Sequence, residues 1–436
     1  MKCDGPFVSC NIDIDTTQTT SSRAHIHIEQ PIVSEIYQKA LLTHQKQIQA
    51  RGFERGTVPL AYLEKTYRSF IIEHMKEFLL NHCVLNTLCE HICTNHILCV
   101  GYPILESIHI EPDQKANFTF SLPQVPIFTK QPWKSITFQP PKRRNYKDID
   151  KQVETFLTQE CAQEKINVDT RTIAPGDWVQ FSIALFNEKQ NTPLNHKDLL
   201  WLRLGDDDPD YEALEIFIGK KNNDTFISKS IFLQHYFSKQ WDSDYCYFIQ
   251  IHNIIPKSQL HESYLSHFFS CTQKQDLKNL CVQIFSFRND LSLRREIVSH
   301  LFKTLQRTIQ ASIPPTLLTQ QEHYVLQEVQ KTPDYPVYRL QKDFKLKIRQ
   351  LAEKQLRETI IMDYIAREEH IQPKEDDIFA YLALHQNPRT KDLLNFHLPT
   401  TQVNGQEQPI PANIIKLSCL REKTLNYALK KLTHIA

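Results

Sequence analysis

The chain has 436 residues, with 51 Lys plus Arg against 50 Asp plus Glu and a formal net charge of +1. No global charge therefore draws it to nucleic acid, and any RNA contact must be local. It is 41% hydrophobic and 23% charged, enough apolar content for packed cores and against global disorder, over a length that fits about three domains.

The 8 glycines lie at positions 5, 52, 56, 101, 176, 205, 219 and 405. No Gly-x-Gly-x-x-Gly or Walker loop can be written with them, so ATP-driven and dinucleotide chemistry are not expected. No window holds the roughly 18 apolar residues of a membrane span. The start, Met1 to Pro6, lacks an apolar region, and Phe7-Val8-Ser9-Cys10 without one is no lipoprotein signal. The expectation is a cytoplasmic protein with no membrane contact. Its 11 cysteines, an odd number, then read as mostly reduced core residues.

Two short strands open the chain. Ile12 and Ile14 alternate with polar residues, as do Ala24, Ile26 and Ile28, with Thr16 to Ser22 between them. A long helical hairpin over 34–95 follows. Ser34 suits an N-cap, and Ile36, Ala40, Leu41 and His44 fall at helical spacing. Pro59 suits a first turn, and Leu60, Leu63, Tyr67, Phe70, Ile71, His74 and Phe78 form an apolar stripe. At the tip stands Arg51-Gly52-Phe53-Glu54-Arg55-Gly56-Thr57-Val58-Pro59, a tight loop permitted by two glycines. A Phe beside Arg at such a tip suits docking onto another surface. It equally suits an ordinary turn whose Phe tucks back into the hairpin. Residues 34–70 carry Lys39, Lys46, Arg51, Arg55, Lys65 and Arg68 against Glu35, Glu54 and Glu64, a local cationic excess.

His82, Cys83, Cys89, His91, Cys93, His96 and Cys99 crowd the end of the hairpin. Cys89 and Cys93 would share a helix face with His96 near it. The paired Cys-x-x-Cys spacings of a zinc site are absent, and buried free thiols are the simpler reading. No metal and no cofactor are expected. Strand-like Ile104 to Ile110 and Phe118 to Val125 come next. Residues 126–148 are proline-rich and basic, including Lys142-Arg143-Arg144, and read as an extended linker pinned by Trp133 and Phe138. A short helix covers Lys147 to Leu157.

Residues 174–256 change to alternating strands, from Trp178, Phe181, Ile183 and Leu185 to Phe248-Ile249-Gln250-Ile251. Asp206-Asp207-Asp208 reads as a solvated turn, because the spacing of a calcium loop is missing. From 257 on the pattern is helical. Leu277, Leu280, Ile284, Leu291, Ile297, Leu301 and Leu305 run to Ile309, and Ala311 to Leu318 breaks the run. A long helix is expected from about Val337 to Glu369, with Leu340, Phe344, Ile348, Leu351, Ile360, Ile361, Tyr364 and Ile365 inward. The proline-bearing stretch 399–413 reads as a flexible connector before a closing helix.

Gly52, Phe53, Gly56 and Pro59 stand in register with the Gly-Phe-x-x-Gly-x-x-Pro ribosome-docking signature of bacterial trigger factor, which this stretch resembles. Arg55 matches that family's frequent second basic position. Glu54 stands where Arg is usual, and Thr57 where Lys is usual. The strands under a helical hairpin resemble that family's N-terminal domain. Ala174-Pro175-Gly176-Asp177-Trp178-Val179 resembles the Gly-Asp strand of FKBP-like prolyl isomerase domains. Leu204-Gly205 with Pro209-Asp210-Tyr211-Glu212 resembles Leu-Gly…Ile-Pro-Gly-Phe-Glu, and Gly219-Lys220 resembles the later Gly-x-Lys. Ile371 to Ile378 and the end, Leu420-Arg421-Glu422-Lys423 through Leu429, resemble the helical joints of the family's C-terminal region.

The resemblance covers almost the whole chain in order. It implies a multidomain α+β protein with a strand-plus-helical-hairpin N-terminal domain (1–125) and a linker with a short helix (126–173). A small FKBP-like β-rich domain (174–256) and an all-α C-terminal domain with helical arms (257–436) complete it. The function it implies is an ATP-independent, ribosome-associated chaperone. Gly52, Phe53, Arg55, Gly56 and Pro59 would then meet the large ribosomal subunit near the peptide exit, with only local ribosomal RNA contact. The partners are nascent and unfolded polypeptides, and the resemblance also allows a homodimer off the ribosome. Pro209 and Tyr211 are the implied isomerase pocket residues. Rotation about a prolyl bond needs an apolar, water-poor pocket rather than a nucleophile, against a barrier of about 18–20 kcal/mol. Asp210 for Gly, Tyr211 for Phe and the triple Asp work against such a pocket, which leaves three readings open. The isomerase is active, or the fold is retained with weak or lost activity, or the chain is a free cytosolic holdase that has lost ribosome docking as well.

Overall fold

The structure, a computed structural model, describes residues 10–15, 21–95, 97, 99–101, 103–125, 127–142, 148–160, 171–187, 192–193, 198–205, 207–230, 232–233, 246–257, 262–271, 273–399, 402–403 and 405–433. It divides into two compact units. One comprises Met1–Gln124, Phe181–Leu200 and Asn223–His252, and the other Val125–Gln180, Trp201–Asn222 and Asn253–Ala436.

The N-terminal part is a four-stranded antiparallel sheet under a helical hairpin. Strands β1 (Cys10–Asp15) and β2 (Ser21–Ile28) precede helices α1 (Gln30–Gln47) and α2 (Leu60–Leu79). A π-helical turn (Leu80–Val84), α3 (Leu85–Thr94), β3 (Ile104–His109) and β4 (Ala116–Pro123) follow. The strand order is β1-β2-β4-β3. Ile26 sits across from Phe118 and Ala24 across from Phe120. Period-two alternation thus sends Ala24, Ile26, Ile28, Phe118, Phe120 and Leu122 to one buried face. The hairpin closes that face with Tyr37, Leu41, Leu63, Ile71 and Met75. Each such side chain contributes about 1.5–3 kcal/mol when fully buried.

Two expectations about this hairpin change. The first helix begins at Gln30, with Pro31 in its first turn, so Ser34 is not its cap. The Ser34 hydroxyl instead donates to the Pro112 carbonyl at 2.6 Å. The apolar stripe of the second helix is also narrower than its spacing suggests. Leu63 and Ile71 are buried, whereas Leu60 and Phe70 are exposed.

After β5 (Ile127–Thr129) and helix α4 (Ile149–Glu160) comes the β-rich middle of the chain. It holds β6 (Trp178–Asn187), β7 (Thr192–Pro193), β8 (Asp198–Arg203), α5 (Tyr211–Phe217), β9 (Thr225–Ser228) and β10 (Cys246–Ile255). The strand order is β8-β6-β10-β9, with β7 on β6. Asp177, just before β6, is fully buried. Its carboxylate accepts from Arg171 at 3.1 Å and from the backbone N–H groups of Ala174 and Lys257, both at 3.0 Å.

The helical body contains α6 (Glu262–Phe268), α7 (Lys274–Phe285), the ribbon β11 (Phe287–Arg288) and β12 (Leu291–Ser292), and α8 (Leu293–Thr308). It continues with β13 (Ile309–Ala311), α9 (Pro315–Gln330), α10 (Tyr335–Tyr338), α11 (Phe344–Glu368) and α12 (Glu375–Gln386). Strand β13 pairs with β5. Trp133 and Phe138 pack among Ile297, Leu301 and Leu425, so the linker is pinned as expected. A second core joins Trp178 and Trp201 to Tyr381, Leu382 and Cys419.

The expected long helix from Val337 is broken. α10 ends at Tyr338, α11 starts at Phe344, and Leu340 between them is 79% exposed rather than inward. The run toward Ile309 is likewise cut by the ribbon turn at Asn289 and Asp290, both with positive φ, and Leu291 is exposed. The stretch 399–413 is not a loose connector. It carries β14 (Gln402–Val403), β15 (Gln406–Glu407) and β16 (Ile410–Pro411), and β16 extends the sheet beyond β8. Helix α13 (Ala412–Thr433) closes the chain.

Candidate functional site

The hairpin tip is built by its backbone. Gly52 and Gly56 have φ of +92° and +86°, a region that L side chains rarely adopt. A Cβ at either position would meet nothing within 4 Å, so conformation alone demands glycine here. The Phe53 N–H donates to the Ala50 carbonyl at 3.1 Å, and the Thr57 N–H to the Glu54 carbonyl at 3.1 Å, which makes two consecutive turns. Thr57 Oγ1 also donates to the Glu54 carbonyl, at 2.8 Å. Gln45 Nε2 donates to the Val58 carbonyl at 2.7 Å, while Val58 and Ala50 are buried as the loop's anchors.

Everything from Arg51 to Thr57 faces solvent, as does Pro59. Phe53 is 37% exposed, and its ring leans on Tyr62 with centroids 5.4 Å apart. It is neither tucked away nor free. Arg55 Nε donates to the Lys46 carbonyl at 3.3 Å, which holds the guanidinium beside the end of α1. The loop can thus offer an aromatic ring and two guanidinium groups on a rigid frame. Sequence reasoning missed that the exposed apolar surface continues down the hairpin through Leu60, Tyr62, Leu42 and Phe70. Phe70 stacks there with His44 and His74 at 5.3 and 4.2 Å. The signal was the pair Ile71 and Met75, four residues apart, whose burial on one helix face leaves Phe70 pointing outward.

The implied isomerase residues Pro209 and Tyr211 both face solvent, with Tyr211 65% exposed. Between them Asp210 is fully buried, and its Oδ1 accepts the Glu407 N–H at 2.7 Å. Asp207 and Asp208 are exposed. Asp206, the stretch 188–191, Arg143, Arg144 and His96 lie outside the described residues, as do the side chains of His82 and Cys93. Among the described residues no group of three or more His, Cys, Asp or Glu could hold a metal. No described helix is long and apolar enough to cross a membrane.

The Arg421-Glu422-Lys423 run of α13 is a polar knot inside the body. Arg421 makes two 2.9 Å bonds to Asp363 on α11. Lys423 reaches Asp377 on α12 at 2.5 Å. The Glu422 carboxylate accepts the N–H groups of Asn395 and Phe396 at 2.8 and 3.0 Å and lies 3.6 Å from Arg294 on α8. Burial pushes the Glu422 carboxyl up, against the pull of Arg294 and those two amides. The body also presents an open cleft of about 760 Å³, lined by Lys151, Phe156, Ile284, Phe285, Pro388 and Arg389.

Comparison with known proteins follows the same lines. Residues 10–156 match the family described as bacterial trigger factor protein (TF). The trigger factor of Rickettsia canadensis is 22% identical over 360 residues, 81% of this chain and 80% of that one. The trigger factor of Geotalea uraniireducens is 22% identical over 410 residues, 90% of this chain and 92% of that one. A solved structure reported for substrate recognition by the trigger factor chaperone covers 96% of this chain and is itself covered fully, at 13% identity and a TM-score of 0.36. Residues 10–156 thus match the trigger factor family, and over 81–90% of its length the chain is similar to trigger factors at 22% identity.

Proposed function

We propose that the protein is an ATP-independent chaperone of the cytoplasm that docks on the large ribosomal subunit near the peptide exit and shields nascent chains. The observation that carries the docking is the hairpin tip, where two left-handed glycines hold Phe53, Arg51 and Arg55 outward. A convex tip with cations and an aromatic ring suits a surface of RNA and protein. Residues 1–125 carry the docking in this reading. Residues 257–436 carry the shielding, through exposed apolar side chains that include Val337, Leu340 and Leu346. Weak apolar contacts that exchange quickly release clients without a nucleotide cycle.

Residues 174–256 keep an isomerase-like sheet with weak or lost activity, because Pro209 and Tyr211 stand in solvent and the mechanism needs a dry pocket. Two experiments test these parts. A photo-crosslinker in place of Glu54 should couple to large-subunit components, and coupling only to free client would contradict docking. In refolding of a proline-limited client the protein should suppress aggregation and leave the slow phase unchanged. A faster slow phase would make it an active isomerase.

A further inference from the structure

The loop that resembles an isomerase pocket is in contact with the chain's own C-terminal segment. Glu407 is buried, its N–H donates to Asp210 Oδ1 at 2.7 Å, and its carboxylate stands 3.5 Å from Arg203 Nη1. Gln402 holds the same carboxylate at 3.1 Å. A Cβ on Gly205 would fall 1.6 Å from Asp210 Oδ2, so Asp210 reaches this place only because residue 205 is glycine. A Cβ on Gly405 would lie 3.6 Å from the Pro209 ring. Beyond Glu407, Pro409 and Ile410 are buried, and β16 adds to the edge of the sheet at β8. The bound segment reads Glu407-Gln408-Pro409-Ile410-Pro411, a stretch with one carboxylate, Glu407, and two prolines.

We propose that the β8 edge with Arg203, Gly205 and Asp210 is a docking site for extended polypeptide segments that carry a carboxylate and prolines, and that residues 405–411 fill it in the resting protein. Strand addition supplies the backbone bonds, Arg203 selects the carboxylate, and Asp210 takes the amide that enters beside it. Asp210, which departs from the resembled pattern, thereby has a role: it is the acceptor that holds the segment. The self-contact is short, with β15 and β16 two residues each, and Ile410 belongs to the core that holds Trp178 and Trp201, so release requires Ile410 to leave that core. A client segment of the same chemistry competes for the edge. This site is separate from ribosome docking and stands or falls without it.

The test uses the full chain and a fluorescent peptide copying residues 402–412. Glu407→Ala with Ile410→Ser weakens the resident segment and leaves the β8 edge intact. This variant should bind the peptide about tenfold more tightly than wild type, the gain expected when a site is self-occupied about nine-tenths of the time. Adding Arg203→Glu should abolish the gain. A folded double variant that binds no better than wild type overturns the proposal. Should the double variant misfold, hydrogen exchange in wild type decides. Millimolar unlabelled peptide should speed exchange over 405–411, and unchanged exchange would overturn the proposal. Ribosome co-sedimentation of the same variants should match wild type, which keeps the two readings separable.

Discussion

Two loops of this chain resemble family motifs, and they diverge for opposite reasons. In 51–59 the backbone carries the motif. Gly52 and Gly56 sit at positive φ with empty space around them, and every side chain from Arg51 to Thr57 is exposed. Glu54 can differ from the usual residue without disturbing a neighbour, and a change at Thr57 gives up only its hydroxyl bond to the Glu54 carbonyl. In 204–211 the glycine of the resembled motif is Asp210, which is buried against a segment 197 residues later in the chain. There the departure is a contact. Exposed divergence alters what a loop attracts, while buried divergence alters what the chain itself holds.

The largest effect separating the two is expected at Asp210. Asp210→Ala leaves the Glu407 N–H buried without its acceptor and should cost about 1–3 kcal/mol, read as a lower urea midpoint at constant slope. Gly56→Ala should cost about 1–2 kcal/mol, because φ of +86° is unfavourable for a residue with Cβ. Its partial relaxation should also displace Phe53 and weaken docking. If Gly56→Ala proves neutral in both, the backbone does not carry the loop.

Acid should loosen the body next. Burial holds His385 down to about 3, and Lys391, His397 and Arg203 push the same way. The unfolded imidazole takes a proton near its usual value of about 6.5, and the folded one does not. The stabilisation is therefore full above about 6.5 and falls away as the pH drops toward 3. His397, lowered to about 4 chiefly by burial, acts in the same sense, with a smaller share because much of it meets solvent. Glu422 and Glu358, raised by burial, act oppositely, since the folded chain takes their protons first. The melting temperature should drop by a few degrees from about pH 7 to 5, and His385→Gln should remove most of that drop.

The smallest stability effect belongs to the exposed loop. Glu54→Arg should change folding by less than about 0.5 kcal/mol. It should also raise ribosome affinity about tenfold at low salt, with the gain fading as salt rises. A large stability change would mean that the loop is packed more tightly than its exposure shows.

The same contrast explains what was legible in the sequence. Alternation at Ala24, Ile26 and Ile28 and at Phe118 and Phe120 fixes the N-terminal strands, because one buried face imposes period two. The glycines of 52–56 mark the hairpin tip, because conformation demands them. Trp133 and Phe138 stand out as large apolar residues in a polar linker. The Asp210–Glu407 clasp was not legible, since no local pattern links residues so far apart. Leu340 was misplaced because helical spacing carries across 339–343, where the chain instead leaves one helix and starts another. The cap at Ser34 yielded to Pro31, whose fixed φ starts the helix earlier. The exposure of Phe70 depended on which of two adjacent apolar residues the sheet receives.

The central claim is that the hairpin tip docks this chaperone on ribosomes, and co-sedimentation with large subunits tests it most directly. Wild type and Phe53→Ala/Arg55→Ala would be compared at low and physiological salt. Salt-sensitive binding by wild type that is lost in the double variant is the predicted result. Equal binding by both would move the docking surface away from the tip, and binding by neither would turn the function toward a free cytosolic holdase; either result contradicts the claim.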